Sequence, residues 1–314
     1  MSNIRVVVTS PSFSRNDDLR EEICTLFPGA VLNEKGLKLE GEALVDYMGD
    51  AEGAIVGLEE MSREVLSRCR QIRIISKYGV GLDNVDLEYC RERNVAIGWT
   101  PGVNKVSVAE MTLAFMIMLG RNLFRTSVQL KDGVWNKSGG FDLHGKTVGI
   151  IGVGNVGKEL VRLLKPFECS IMVNDIIDQS IYYRENGLIE SPKKDIFETA
   201  DFVTLHAPLT DLTRNMINRD SLSVMKKNAF LINTARGPIV ELQDLKWALN
   251  HGVISGAAID VYDKEPPTDV ELLGLENLIC TPHIGGNSYE SVLSMGRSAI
   301  GHLRDFFYTR NTGK

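Results

Sequence analysis

Three polar signals stand just beyond apolar, strand-like runs in the second half of the chain. AFLINTARGPIV carries Arg236, AAIDVYDKEPP carries Asp260 and then Glu265 before two prolines, and LICTPHIGG carries His283 before two glycines. In open α/β sheets ligands bind beyond the carboxyl ends of strands, so these loops are expected to converge at one edge. Reducing a ketone needs a proton donor at oxygen as hydride arrives at carbon. Imidazole titrates near neutral pH, which suits His283 to that task. Glu265 is expected to bond the other ring nitrogen, fix the ring's orientation and favour its protonated form. Arg236 suits a carboxylate and would polarise the carbonyl beside it. Any one of these residues alone is as readily a surface ion pair or a cap. Beside a source of hydride, the set points to one reaction.

Such a source is implied by TVGIIGVGNVGKELVRLL, Thr147 to Leu164. A β-branched run leads into Gly152-Val153-Gly154-Asn155-Val156-Gly157, and an amphipathic helical pattern follows at once. A lone GxGxxG is weak, since glycines are common in turns. Here strand and helix flank it, and Asp175 ends the next apolar run, SIMVND, 18 residues after Gly157. That is the dinucleotide fingerprint in the context it requires. Gly152 would make the tight turn, Gly154 would let the backbone approach a pyrophosphate, and Gly157 would let the helix pack closely. The phosphates would sit on the N–H groups of the helix N-terminus, Asn155 and Val156 included. Asp175 would accept from the ribose hydroxyls and repel a 2′-phosphate. No arginine follows it directly, so NAD(H) is expected over NADP(H).

A further signal lies in the first half, in SKYGVGLDNVDLEYC. The run Ile72–Ile75 leads into Gly79-Val80-Gly81, and a helix is expected to start near Val85. Successive N–H groups in such a loop form a nest that holds a carboxylate. Val80 and Gly81 are therefore candidate substrate contacts, with Lys77 adding positive charge. The alternative is a tight βα turn with a solvated lysine.

These loops need a framework. Strand-like runs at Arg5–Val8, Gly53–Val56, Ile72–Ile75 and Val95–Ile97 alternate with helical patterns such as Asp17–Leu26 and Ser62–Cys69. The alternation restarts at Val148 and continues through Ile171–Asn174, Phe202–Leu205, Ala229–Ile232, Ile254–Ala258 and Leu278–Cys280. This βαβ rhythm predicts parallel sheets with helices on both faces. One long helix is expected from about Asn104 to Lys131, its apolar face including Val108, Met111, Leu113, Phe115, Met116, Met118 and Leu119. Another is expected from Ser288 to Tyr308, packed back on the first sheet. The fold class is thus α/β, with two doubly wound parallel-sheet domains. Residues 1–99 plus 285–314 would form a flavodoxin-like substrate domain. Residues 100–284 would form an inserted Rossmann-type dinucleotide domain, and a cleft between the two would be the natural ligand site.

Composition narrows the partners. The formal net charge of −6 disfavours nucleic acid and anionic membranes. Five dispersed cysteines with no CxxC pair read as reduced thiols of a cytoplasmic protein. The start, MSNIRVVVTSPSF, shows no cationic leader, and the longest apolar stretch, Met111 to Leu119, is too short to span a bilayer. His144, His251 and His302 have no metal-ligand spacing, so no metal site is expected. His206 is expected to shape a cofactor loop rather than move protons.

With these residues in hand, the chain resembles the D-isomer-specific 2-hydroxyacid dehydrogenases. KYGVGLDNVDL, NKVSVAEMTL, GIIGVGNVG, HAPLT, NTARGPIV, DVYDKEPP and TPHIGG all match, in that order, over nearly the whole chain. The resemblance implies Arg236, Glu265 and His283 as the catalytic set. It implies Ala207, Pro208, Thr234, Ala235, Asp260 and Gly285 as further cofactor contacts, and Arg236 with the Val80–Gly81 loop as holders of a small carboxylate substrate. It also implies a homodimer built on the helix after Asn104. Within the family the sequence looks most like the phosphoglycerate dehydrogenase branch, which would make 3-phosphoglycerate the leading substrate. The chain ends at Lys314, so feedback by serine through an added regulatory domain is not expected. AEGAIVGLEEMS departs from that branch: Gly57, followed by Glu59 and Glu60, stands where an arginine often meets the phosphate. Lys77, Arg121 or Arg125 would have to compensate. Glyoxylate or hydroxypyruvate reduction, phosphite oxidation and an NAD-linked corepressor scaffold are the alternatives on this fold. Formate dehydrogenases of this fold pair their histidine with glutamine, and Glu265 argues against them.

Overall fold

Short β-branched runs that lie buried on both faces need helices on both sides, and the sequence supplies them in alternation. The computed structural model describes residues 4–309. Its first sheet contains β1 (Val6–Val8), β2 (Val31–Leu32), β3 (Gly53–Val56), β4 (Ile74–Lys77) and β5 (Ala96–Gly98). All pairings are parallel, in the order β2-β1-β3-β4-β5. Its second sheet contains β6 (Thr147–Ile151), β7 (Ser170–Asn174), β8 (Ile189–Glu190), β9 (Phe202–Leu205), β10 (Phe230–Asn233), β11 (Gly256–Ile259) and β12 (Leu278–Cys280). These too are parallel, in the order β12-β11-β10-β9-β6-β7-β8. Counted from β6, the strand order is that of a dinucleotide-binding fold with one extra edge strand.

The chain divides into two units. One runs to Asn104 and resumes at Gly286; the other is continuous from Lys105 to Gly285. In the first unit the Tyr289–Arg304 helix packs on the Asp17–Leu26 helix and on β4. Its Met295, Ala299, Ile300 and Leu303 share a core with Val6, Val8, Phe13 and Leu19. Ser288 caps that helix by accepting from the Ser291 N–H at 3.2 Å.

The structure corrects the expected Asn104–Lys131 helix. Lys105–Gly120 and Leu123–Lys131 are separate helices bent by 65°, with Asn122 in the left-handed region at φ 52°. Met116 and Leu119 also belong to the core beneath β6 and β9, so they are packing residues rather than contact-surface residues. No single helix among the described residues is long and apolar enough to cross a membrane.

Candidate active site

The second unit carries Arg236, Glu265 and His283 on the three loops that follow β10, β11 and β12. β10 ends at Asn233, whose side chain holds the next turn. Its Oδ1 accepts from the Ala235 N–H at 3.0 Å, and its Nδ2 donates to the Arg236 carbonyl at 2.9 Å. Arg236 Nη1 donates to the Ala235 carbonyl at 2.7 Å. Gly237 then lies so close to the following loop that a Cβ would stand 2.1 Å from the Tyr262 carbonyl carbon. Only glycine permits this approach, which brings the Arg236 turn against the segment carrying Glu265.

Glu265 and His283 meet directly. His283 Nδ1 lies 2.7 Å from Glu265 Oε2, with each side chain 31% exposed. Glu265 Oε1 accepts from the Tyr262 N–H at 3.2 Å. Burial alone would raise the Glu265 carboxyl. The His283 bond and charge, the Tyr262 N–H and the Arg236 charge outweigh it and hold the carboxyl below its ordinary range. The electrostatics thus tie all three residues together.

Asp260 sets the histidine loop. It is only 1% exposed, and its carboxylate is engaged by that loop. Oδ1 accepts from Thr281 Oγ1 at 2.6 Å and from the Ile284 N–H at 2.8 Å; Oδ2 accepts from the Gly285 N–H at 2.7 Å. The His283 N–H donates to the Asp260 carbonyl at 2.9 Å. His283 itself sits at φ 53°, a conformation a non-glycine residue keeps only when its surroundings over-determine it. Asp260 therefore stands in the structure as the anchor of the loop. Gly285 is tied from the other side, its carbonyl accepting from Ser107 Oγ at 2.6 Å.

The glycine-rich turn fits a dinucleotide. Gly152 has φ 95°, and a Cβ there would lie 2.6 Å from the Ala207 nitrogen and the His206 carbonyl carbon. Its identity is explained by the protein's own packing, as is that of Gly157, whose Cβ would lie 2.4 Å from the Gly152 carbonyl oxygen. Gly154 differs. It caps the Asn155–Leu164 helix at φ −77°, and a Cβ there would meet nothing within 4 Å. Nothing in the chain demands glycine at that point, whereas a pyrophosphate lying on the helix N-terminus would. Asp175 closes the turn: Oδ2 accepts from the Val153 N–H at 2.6 Å and Oδ1 from the Ile177 N–H at 3.0 Å. A carboxylate has room for further donors, and ribose hydroxyls are suited to it.

Ala207 backs Gly152, with Pro208 next in the same loop. Thr234 Oγ1 lies 3.2 Å from Thr112 Oγ1. His206 Nε2 lies 3.0 Å from Thr204 Oγ1, and burial pushes its pKa down to about 3, so it is neutral at physiological pH. Arg121 reaches the Gly139 carbonyl at 3.0 Å, and Arg125 pairs with Glu276 at 3.2 Å.

In the first unit Lys77 is buried at the end of β4. Its Nζ donates to the Gly57 carbonyl and, at 2.5 Å, to Asn84 Oδ1. Gly79 has φ 134°, and the Val80 carbonyl accepts from Trp99 Nε1 at 2.9 Å, leaving Val80 and Gly81 in an ordered turn. Asn233, Tyr262, Thr281 and Asn84 were not singled out from sequence. For Asn233, Tyr262 and Thr281 the usable signal was a place at or just past a strand end, where a side-chain amide, hydroxyl or adjacent N–H shapes the next loop.

The second unit thus combines a Rossmann-type sheet, a glycine-rich strand-to-helix turn and a hydrogen-bonded His–Glu pair. Residues 113–285 match the family model described as D-isomer specific 2-hydroxyacid dehydrogenase, NAD binding domain. The chain belongs to that family, and this segment is its NAD-binding domain. It is 34% identical over 297 residues to the D-3-phosphoglycerate dehydrogenase of Methanocaldococcus jannaschii, covering 93% of this chain and 55% of that protein. The chain thus spans about half the length of that relative. It is 33% identical over 294 residues to the hydroxypyruvate reductase of Thermotoga maritima, covering 90% of this chain and 93% of that protein. The crystal structure of D-lactate dehydrogenase from Aquifex aeolicus, complexed with NAD and lactic acid, superposes with a TM-score of 0.85 at 24% identity, covering 98% and 96% of the two chains, and shares the fold.

Proposed function

We propose that this protein is an NAD-dependent D-2-hydroxyacid dehydrogenase that interconverts a small 2-keto acid and its 2-hydroxy acid. The observation that carries the reading is the 2.7 Å His283–Glu265 pair beside Arg236. Bound NADH supplies the hydride. In the reductive direction His283 Nε2 would donate the proton that turns the substrate's carbonyl oxygen into the hydroxyl. Glu265, kept ionised, holds the ring through Nδ1 and compensates its positive charge. Arg236 binds the carboxylate and draws electron density from the neighbouring carbonyl. In the oxidative direction His283 accepts the hydroxyl proton. The test is NADH oxidation by the pure protein with glyoxylate, hydroxypyruvate, pyruvate and 3-phosphohydroxypyruvate. A protein that oxidises NADH with none of them, yet binds it, is a scaffold or acts on another donor such as phosphite.

The cofactor preference rests on Asp175. Titrations with NADH and NADPH are expected to favour NADH. Asp175→Asn removes the charge and keeps an acceptor for only one of the Val153 and Ile177 N–H groups, so the ratio of affinities should fall; tighter NADPH binding by the wild type overturns the assignment.

We also propose a homodimer through the second of the two helices. Leu123–Lys131 buries none of its residues, and Leu123, Val128 and Leu130 are exposed along it. Val134 and Trp135 extend the apolar surface, Trp135 at 77% exposure. Such a surface is costly in water and suits a second copy of this chain. Sedimentation at micromolar concentration should give a dimer, and Leu130→Asp with Trp135→Asp should shift it to monomer without loss of fold. A wild-type monomer refutes the proposal.

A further inference from the structure

The His283–Glu265 pair is one side of a closed cycle of hydrogen bonds. The Tyr262 N–H donates to Glu265 Oε1 at 3.2 Å, and Glu265 Oε2 lies 2.7 Å from His283 Nδ1. The His283 N–H donates to the Thr281 carbonyl at 3.1 Å. The Tyr262 hydroxyl, at the far end of the residue where the cycle began, donates to that same carbonyl at 3.0 Å. All four residues belong to the continuous unit, Lys105 to Gly285.

Tyr262 spans two loops in closing this cycle. It follows β11, as Glu265 does, whereas Thr281 and His283 follow β12. Its backbone steadies the carboxylate on one loop, and its phenol reaches the backbone of the other. A third loop bears on it, since Gly237, next to Arg236, packs against its carbonyl. The side chain is buried in the core with Ile239, Ile259 and Leu278, so its ring is held in place. Burial above all, with the neighbouring Cys280, Asp260 and Glu265 side chains, pushes the hydroxyl up from its ordinary range, so it stays protonated and able to donate. Core packing asks for an aromatic ring here, and phenylalanine would supply one. The hydroxyl has a different task. His283 sits at φ 53° and must be held from outside. Asp260 anchors its loop to the end of β11; the Tyr262 hydroxyl couples that loop to the Glu265 carboxylate.

Building on the dehydrogenase reading above, we propose that Tyr262 is a positioning residue for the proton transfer: by closing this cycle its hydroxyl fixes the separation of Glu265 and His283, and with it the aim of His283 Nε2. It acts through those two side chains rather than on the substrate. Small errors in such an aim are costly, because proton transfer needs the reacting atoms within hydrogen-bond reach.

The experiment compares wild type, Tyr262→Phe and Tyr262→4-aminophenylalanine, whose amine puts a donor back at the same place. Thermal melts confirm folding. The readouts are kcat with the keto acid that the wild type reduces fastest, NADH affinity by fluorescence, and the nitrogen resonance of His283 Nδ1 in the cofactor-free protein, assigned by its loss in His283→Ala. Tyr262→Phe should lower kcat by about 10–100-fold and shift the Nδ1 resonance, with NADH affinity unchanged. The amine should restore kcat and resonance together. A hydroxyl of structural value alone would lower the melting temperature and move neither. A folded Tyr262→Phe that keeps the wild-type kcat or the wild-type resonance therefore overturns the proposal, as does an amine that restores neither. If Tyr262→Phe does not fold, the amine variant decides: kcat and resonance should match wild type, and their loss in a folded protein overturns the proposal. If the wild type reduces no keto acid, the dehydrogenase reading fails separately. The Nδ1 resonance then decides the role of Tyr262: a shift in Tyr262→Phe that the amine reverses supports it, and an unmoved resonance overturns it.

Discussion

His283→Ala should lower kcat for keto-acid reduction by about 10²–10⁴-fold, the usual worth of a placed general acid, while NADH binding holds. Stopped-flow turnover together with a fluorescence titration of NADH separates the two. The separation is expected because His283 is oriented by Glu265 and Asp260, whereas the phosphate-ready turn belongs to β6 and the helix after it. Near-wild-type turnover in this variant removes the mechanism. Glu265→Gln adds a directional test. The amide cannot supply the carboxylate's charge beside the ring, so kcat should fall while NADH affinity holds. The native site holds the Glu265 carboxyl below its ordinary range. Its contribution to stability is therefore fully present above the unfolded-state value, and it is lost as pH falls through the depressed folded value.

Gly154→Ala and Gly152→Ala should fail in opposite ways. At Gly154 an added methyl meets no atom of the protein, so the melting temperature should stay close to wild type. NADH affinity should nevertheless fall about 10–100-fold, because the methyl occupies the space a pyrophosphate needs. At Gly152 the backbone has φ 95°, and the methyl would run into the His206–Ala207 backbone. There the loss is in the fold, of order 1–3 kcal/mol or more, with NADH affinity following from it. For a domain of this size each kcal/mol shifts the melting temperature by roughly 2–4 °C. Calorimetry and NADH titration on both variants check the contrast. Unimpaired NADH binding by Gly154→Ala moves the phosphates elsewhere.

Much of this site was legible because it lies at strand ends. Arg236, Asp260 and His283 each follow an apolar run, and a parallel sheet delivers such residues to one edge whatever the side-chain details. What sequence left out depends on directions within loops. That Asp260 anchors the histidine loop follows from where the Ile284 and Gly285 N–H groups point, which no residue pattern encodes. The break at Asn122 was hidden because apolar residues continue across it, from Leu119 to Leu123 and Phe124. β2 and β8 were missed because two-residue edge strands, partly or wholly exposed, carry no alternation to read.

The first unit is built from both ends of the chain, and this sets an order of events during synthesis. A ribosome completes the continuous second unit while the first still lacks the helix that covers β4. Until Met295, Ala299, Ile300 and Leu303 emerge, Val6, Val8, Phe13 and Leu19 have no partners on that side. The amino-terminal segment must then wait, partly uncovered, through the translation of about 180 intervening residues, at roughly 5–20 residues per second. For an interval of some ten seconds or more, the nascent chain presents the kind of apolar sheet face that chaperones bind. The second unit is synthesised in full before the segment that completes the first has left the ribosome.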